Sequence, residues 1–173
     1  MRPLRTLVGR NLVWRRPNPF SGSYDLVADS EVVVEVRTLG LTRRKATILT
    51  AEGKWTVRPV RALGRRRRII EDAEGNEAGR YEPDGLRAGV IHLVDGESYR
   101  ISTAWFARSV EVLGPMGSKL AIIRWRWPSF RDVASVSVEP AGTAERRLGL
   151  LTAIALVELL GRRRRAAAAS GGG

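Results

Sequence analysis

Between Leu148 and Leu160 the chain carries a run that is apolar on every side of a helix, and it follows a long stretch that reads as strands. Leu148, Leu150, Leu151, Ile154, Leu156, Val157, Leu159 and Leu160 cover all faces, and Thr152 and Glu158 interrupt them. A helix of this kind has to be enclosed, by protein or by lipid. Thr143 is placed to cap it, Glu145 lies where the macrodipole favours an acid, and Arg162 to Arg165 lie where it favours cations, so the spacing predicts a helix over about 143–161. An apolar helix followed by arginines also resembles a membrane anchor. Length decides against that: Leu148 to Gly161 rises about 21 Å at about 1.5 Å per residue, short of a hydrocarbon core of about 30 Å, and Glu158 would lie within lipid.

The container is read from Tyr24 to Glu139, where short stretches rich in Val, Ile, Thr, Tyr and Trp alternate with turn residues. Val32, Val34 and Val36 share one face of a strand, opposite Glu31, Val33, Glu35 and Arg37. Trp55 and Val57 oppose Lys54, Thr56 and Arg58, and Ala134, Val136 and Val138 oppose Ser135 and Ser137. Glu52-Gly53, Glu74-Gly75, Asp84-Gly85, Asp95-Gly96 and Met116-Gly117 each place a glycine where a hairpin needs positive φ. Ile48-x-x-Ala51-Glu52-Gly53 recurs as Ile70-x-x-Ala73-Glu74-Gly75, as in two similar hairpins. The runs between turns number roughly ten to twelve, and a barrel of about eleven strands has room for a central helix where one of about eight has none. The fold class is therefore all-β with one helix: an antiparallel barrel of about twelve strands around the C-terminal helix. Residues 1–20 read as a basic N-terminal segment, 21–165 as the barrel with its helix, and 166–173 as a disordered tail.

The chain of 173 residues has no cysteine and one histidine, His92, which excludes disulfides, thiolate metal centres and a cysteine nucleophile, and argues against an imidazole-rich metal site. Its formal charge is +12, from 30 basic and 18 acidic residues. Such a surplus attracts polyanions, although an arginine-for-lysine bias, with Lys45, Lys54 and Lys119 the only lysines, also follows from a GC-rich genome. Arg2, Arg5 and Arg10 interrupt the first residues, so no secretory leader is read there and the expected location is cytoplasmic.

The order of Tyr24-Asp25-Leu26-Val27, Ala46-Thr47-Ile48 before the Gly53 hairpin with Lys54-Trp55, Ile69-Ile70-Glu71-Asp72-x-x-Gly75, and the apolar helix Leu148 to Leu160 resembles the tubby C-terminal-like superfamily, in its phospholipid-scramblase and LURP-one-related branch. The resemblance spans roughly Ser21 to Arg165 and rests on spacing and order. It implies a twelve-stranded barrel threaded by a hydrophobic C-terminal helix. Members of that superfamily include phosphoinositide-binding adaptors and proteins linked to membrane lipids, but fold alone does not carry function. The scramblase branch is associated with calcium, yet the segment from Asp72 fails as an EF-hand loop, with Glu77 in place of the sixth-position glycine and Pro83 in place of the twelfth-position glutamate. No cofactor is expected.

Nor is a catalytic set expected, since no phosphate-binding loop, dinucleotide fingerprint, nucleophile elbow or zinc-protease motif is present. His92, Asp95 and Ser98 are close in sequence because a hairpin turn makes them so. Trp105, Phe106, Trp125, Trp127 and Phe130 could offer stacking platforms, but Trp125 and Trp127 share a strand face with Ala121 and Ile123, which favours core packing, and Arg124 and Arg126 take the other face. The functional lead is the basic clusters: Arg43, Arg44 and Lys45, then Arg65, Arg66, Arg67 and Arg68, with Arg162 to Arg165 ending the helix. Consecutive arginines in a strand must point both ways, so Arg65 to Arg68 are expected in a loop or strand end where all can reach solvent. The expectation is a non-enzymatic binding domain presenting an arginine-rich rim to an anionic phospholipid surface, peripheral to the membrane. Nucleic-acid binding through the same clusters is the alternative, without any known nucleic-acid motif, and a structural or protein-interaction barrel with incidental charge is the other.

Overall fold

The computed structural model describes residues 1–18, 20–39, 45–62, 65–85, 87–103, 108–126 and 131–170. Twelve strands form one closed antiparallel barrel in which every strand pairs with its neighbours in sequence, and the first pairs with the last. They are β1 (Leu12–Arg15), β2 (Ser23–Ala28), β3 (Glu31–Leu39), β4 (Lys45–Thr50), β5 (Gly53–Ala62) and β6 (Arg65–Glu71), then β7 (Glu77–Asp84), β8 (Ala88–Leu93), β9 (Ser98–Thr103), β10 (Ser109–Leu113), β11 (Lys119–Trp125) and β12 (Asp132–Val138). Closure leaves no free sheet edge. The barrel starts earlier than the boundary read at residue 21, because Leu12 to Arg15 bridge β12 and β2.

The helix α1 (Leu148–Ser170) threads the barrel over Leu148 to Leu160, where Leu148, Leu151, Ile154, Leu156 and Leu159 are fully buried. It starts later than Thr143 and ends later than Gly161. Thr143 belongs to a 3-10 turn (Pro140–Ala144) and donates to the Pro140 carbonyl, while the Glu145 carboxylate accepts from the backbone N–H of Arg147. At the far end, arginine and alanine are strong helix formers, so residues 166–170 continue the helix instead of forming a disordered tail. Residues 171–173 lie outside the described residues.

The period-two patterns hold for Trp55 and Val57 and for Ala134 to Val138, whereas β3 departs from it. Leu26 pairs with Val34 and Val27 with Val32, so Val33 is the extra residue of a bulge and is buried, although alternation places it outside with Glu31 and Glu35. The predicted hairpin glycines Gly75, Gly85, Gly96 and Gly117 all have positive φ. The turn between β2 and β3 has none: Asp29 (φ 47°) and Ser30 (φ 76°) adopt the left-handed region themselves.

An up-and-down barrel alternates its connections between two ends. Tight hairpins such as Asp29-Ser30 and the turns at Gly75, Gly96 and Gly117 gather at one end, which is sealed by Leu4 and Leu7 of the N-terminal segment and by the Pro140–Ala144 turn. The other connections gather where α1 leaves the barrel. These are termed the turn end and the exit end.

Candidate anion-binding end of the barrel

Inside the exit end, the carboxylate of Glu158 on α1 pairs with the guanidinium of Arg68 on β6, and both side chains are largely buried. One turn further along the helix, Arg162 donates to Thr103 Oγ1 (3.0 Å), the Ala88 carbonyl (3.1 Å) and Tyr81 Oη (3.5 Å). The Tyr81 ring lies on Gly89, where a Cβ would stand 2.2 Å from the hydroxyl oxygen. Burial, with the Glu158 carboxylate nearby, pushes that hydroxyl up to about 12. Arg163 lies over the Trp125 ring, its ζ-carbon 3.9 Å from the ring centre, and burial pushes its guanidinium down. On the neighbouring wall Arg16 donates to Tyr24 Oη (2.8 Å).

The turn end is held by carboxylates. Arg147, just before α1, donates to Asp95 and to Glu97 (2.9 Å) in the β8–β9 hairpin, and the Tyr99 hydroxyl lies 2.6 Å from Glu97 and 2.8 Å from Glu145. Burial, and hydrogen bonding to both carboxylates, raises the Tyr99 hydroxyl above its usual range. The Arg147 hydrogen bond holds Asp95 below the usual carboxylate range. Asp29, Glu52, Asp72 and Glu74 stand on the other hairpins of this end.

The described residues of each basic cluster belong to the exit end. Lys45 opens β4 and is exposed, while Arg43 and Arg44 before it lie outside the described residues. The segment Arg65 to Arg68 is not a loop but the start of β6. The side chains of Arg65, Arg66, Arg164 and Arg165 lie outside the described residues. Arg67 stands 3.3 Å from Glu82 on the neighbouring strand. Arg68 corrects the expectation that all four reach solvent: strand alternation turns it inward, opposite Pro59 and Tyr81, and Glu158 supplies the counter-charge that lets it remain there. Three exposed arginines are absent from the predicted set: Arg108, Arg126 and Arg131, at the exit-end tips of β10, β11 and β12. Each is isolated in sequence, and only the strand register brings them side by side.

Elsewhere, His92 Nδ1 lies 3.0 Å from Ser98 Oγ across β8 and β9, but Asp95 is engaged by Arg147, so the three do not form a relay. Asp72 accepts from the backbone N–H groups of Glu74 (3.1 Å) and Asn76 (2.8 Å), which occupies its carboxylate in the turn. Among the described residues no His, Cys, Asp and Glu cluster could hold a metal ion. A depression of about 280 Å³ on the outer wall is lined by Glu35, Arg37, Thr47, Leu49 and Lys54. Ala121 and Ile123 are buried and Trp125 is half-buried, as expected, with Arg124 and Arg126 exposed; Trp105, Phe106, Trp127 and Phe130 lie outside the described residues. Among the described residues, no helix is long and apolar enough to cross a membrane.

No protein-family model matches the sequence, and no curated protein matches it. Among solved structures, an X-ray structure of a protein from Arabidopsis thaliana is similar over 92% of this chain and 97% of that one, at 11% identity and a TM-score of 0.40. The class of molecule is therefore defined by its own architecture, a closed twelve-stranded antiparallel barrel around a C-terminal helix.

Proposed function

We propose that the protein is a non-enzymatic binding domain whose exit end engages an anionic phospholipid surface, as a peripheral, cytoplasmic protein. The observation that carries this reading is the sorting of charge along the barrel axis. The up-and-down order sends Lys45, Arg108, Arg126 and Arg131 to the exit end, while the hairpins bearing Asp29, Glu52, Asp72 and Asp95 go to the other. A chain sorted in this way meets an acidic plane in one orientation. Near such a plane each exposed basic residue contributes about 1 kcal/mol. Arg43, Arg44, Lys45, Arg65, Arg66 and Arg67 belong to the proposed contact, and Arg68 does not, since it is committed to Glu158. The resemblance to the tubby-like superfamily, some of whose members bind phosphoinositides, supports the same reading, and membership of its scramblase-like branch is part of the proposal.

The test is co-sedimentation of the full chain with vesicles of phosphatidylserine and phosphatidylcholine against vesicles of phosphatidylcholine alone. Binding only to the first, weakening as added salt shortens the Debye length below about 10 Å, is the expected result. Oligonucleotide binding that vesicles fail to displace would favour nucleic acid as the partner. Equal behaviour on both vesicle types would leave the charge as incidental to a structural or protein-interaction barrel.

A further inference from the structure

We propose that one quadrant of the exit end, at the tips of β10, β11, β12 and β1, is a bilayer-docking edge in which Arg108, Arg126 and Arg131 engage lipid phosphates and Phe20 enters the headgroup layer. The inference rests on the anionic-membrane reading above and assigns it a face and an orientation.

Backbone hydrogen bonds place the three arginines at the same end of adjacent strands. The Trp125 N–H donates to the Arg108 carbonyl (2.8 Å), the Arg126 N–H to the Val133 carbonyl (3.0 Å), and the Arg16 N–H to the Arg131 carbonyl (2.8 Å). Adjacent strands are about 4.8 Å apart, so the guanidinium groups rise from neighbouring positions on a short arc. All three side chains are exposed, and none has an ion pair among the described residues. The nearby Asp132 is neutralised by Arg15 at 3.1 Å. This differs from Arg67, which faces Glu82 elsewhere on the rim.

Phe20 stands in the β1–β2 connection, a few residues beyond Arg16, and is 88% exposed. Its turn is hydrogen-bonded: Asn18 Oδ1 accepts from the Phe20 N–H (2.9 Å), and the Asn18 carbonyl accepts from Ser21 Oγ (2.9 Å) and from the Ser21 N–H (3.1 Å). A single exposed apolar residue is ordinary. A phenylalanine so exposed at the same end of the barrel as three exposed guanidinium groups matches an interface whose outer layer is phosphate and whose inner layer is hydrocarbon. The ring carries no polar atom, so moving it from water into the headgroup layer breaks no side-chain hydrogen bond, while the arginines remain at phosphate level.

The experiment introduces Phe20→Trp into the full chain and adds vesicles of equal parts phosphatidylserine and phosphatidylcholine, with and without brominated phosphatidylcholine. The emission of the introduced tryptophan, taken as the difference from the parent chain, should shift to the blue and be quenched by the brominated lipid. Phe20→Ser should weaken vesicle binding several-fold, and the combined Arg108→Glu, Arg126→Glu and Arg131→Glu variant should lose at least tenfold with an unchanged Tm. If the parent binds vesicles but the new tryptophan is neither shifted nor quenched, and the triple variant binds as the parent does, this docking edge is wrong while the anionic-membrane reading stands. If the parent binds no vesicles, both fall. Quenching of the new tryptophan by a single-stranded oligonucleotide, without vesicle binding, would assign the edge to nucleic acid and overturn the proposal.

Discussion

At the turn end Arg147 spans Asp95 and Glu97, and Tyr99 reaches Glu97 and Glu145, so the charged groups knit the start of α1 to the β8–β9 hairpin. At the exit end Arg108, Arg126 and Arg131 stand in solvent without an ion pair among the described residues. The exit end also uses arginines structurally, and two of them, Arg68 and Arg162, lie inside the barrel and hold α1. The difference separates charge that positions the helix from charge available to a partner. It also explains why counting basic residues is a poor guide to a binding face.

The largest effect belongs to the element on which both ends depend. Each large aliphatic side chain of α1 contributes about 1.5–3 kcal/mol on burial, against a net domain stability of about 5–15 kcal/mol. Deleting residues 143–173 should leave an insoluble chain or one without a cooperative melt, as read by circular dichroism. Deleting only 171–173 should change nothing measurable. A shortened chain that melts cooperatively would separate barrel stability from the helix altogether.

Next in size is the buried pair at the exit end. Glu158→Ala leaves Arg68 without its carboxylate in a poorly hydrated site, at a cost of about 3–5 kcal/mol. In a domain of this size that should lower Tm by roughly 10 °C. Adding Arg68→Met to Glu158→Leu should recover most of the loss, because a well-packed apolar pair needs no counter-charge. A double variant as unstable as Glu158→Ala would mean that the ion pair itself selects the position of the helix.

A smaller effect is expected at the turn end. Arg147→Ala removes contacts that are partly exposed, and such pairs are screened, so the fall in Tm should be well below that of Glu158→Ala. The pH dependence identifies its source. Asp95 has a lowered pKa in the folded chain, so its contribution is present above the unfolded carboxylate pKa of about 3.9 and is lost as pH falls through the folded value. The Tm difference between parent and variant should therefore narrow in acid, and a constant difference would assign the loss to packing.

Much of the wall can be read from local chemistry, because hairpin glycines and period-two alternation are properties of adjacent residues. Asp29 and Ser30 escape that reading, since neither is glycine although both adopt positive φ. Val33 escapes it because a bulge breaks alternation without any marker residue, and β1 because four residues flanked by arginines carry little pattern. The central helix is legible from its lack of a polar face. Its polar interruption Glu158 is visible too, but the partner lies 90 residues away, so Arg68 reads as one more surface charge until the register is known. Arg108, Arg126 and Arg131 show the reverse case, as positions scattered along the chain that become one face only when the barrel closes.

The central claim, that the location of charge and not its total selects the acidic partner, is tested by two variants with the same change in net charge. Lys45→Glu with Arg126→Glu reverses exposed charges at the exit end, and Lys54→Glu with Arg146→Glu does so at the turn end. Co-sedimentation with phosphatidylserine-containing vesicles at fixed ionic strength should fall at least tenfold for the first pair and stay within about twofold of the parent for the second, with Tm nearly unchanged in both. Equal losses in the two variants would contradict the account, because net charge alone would then explain the binding.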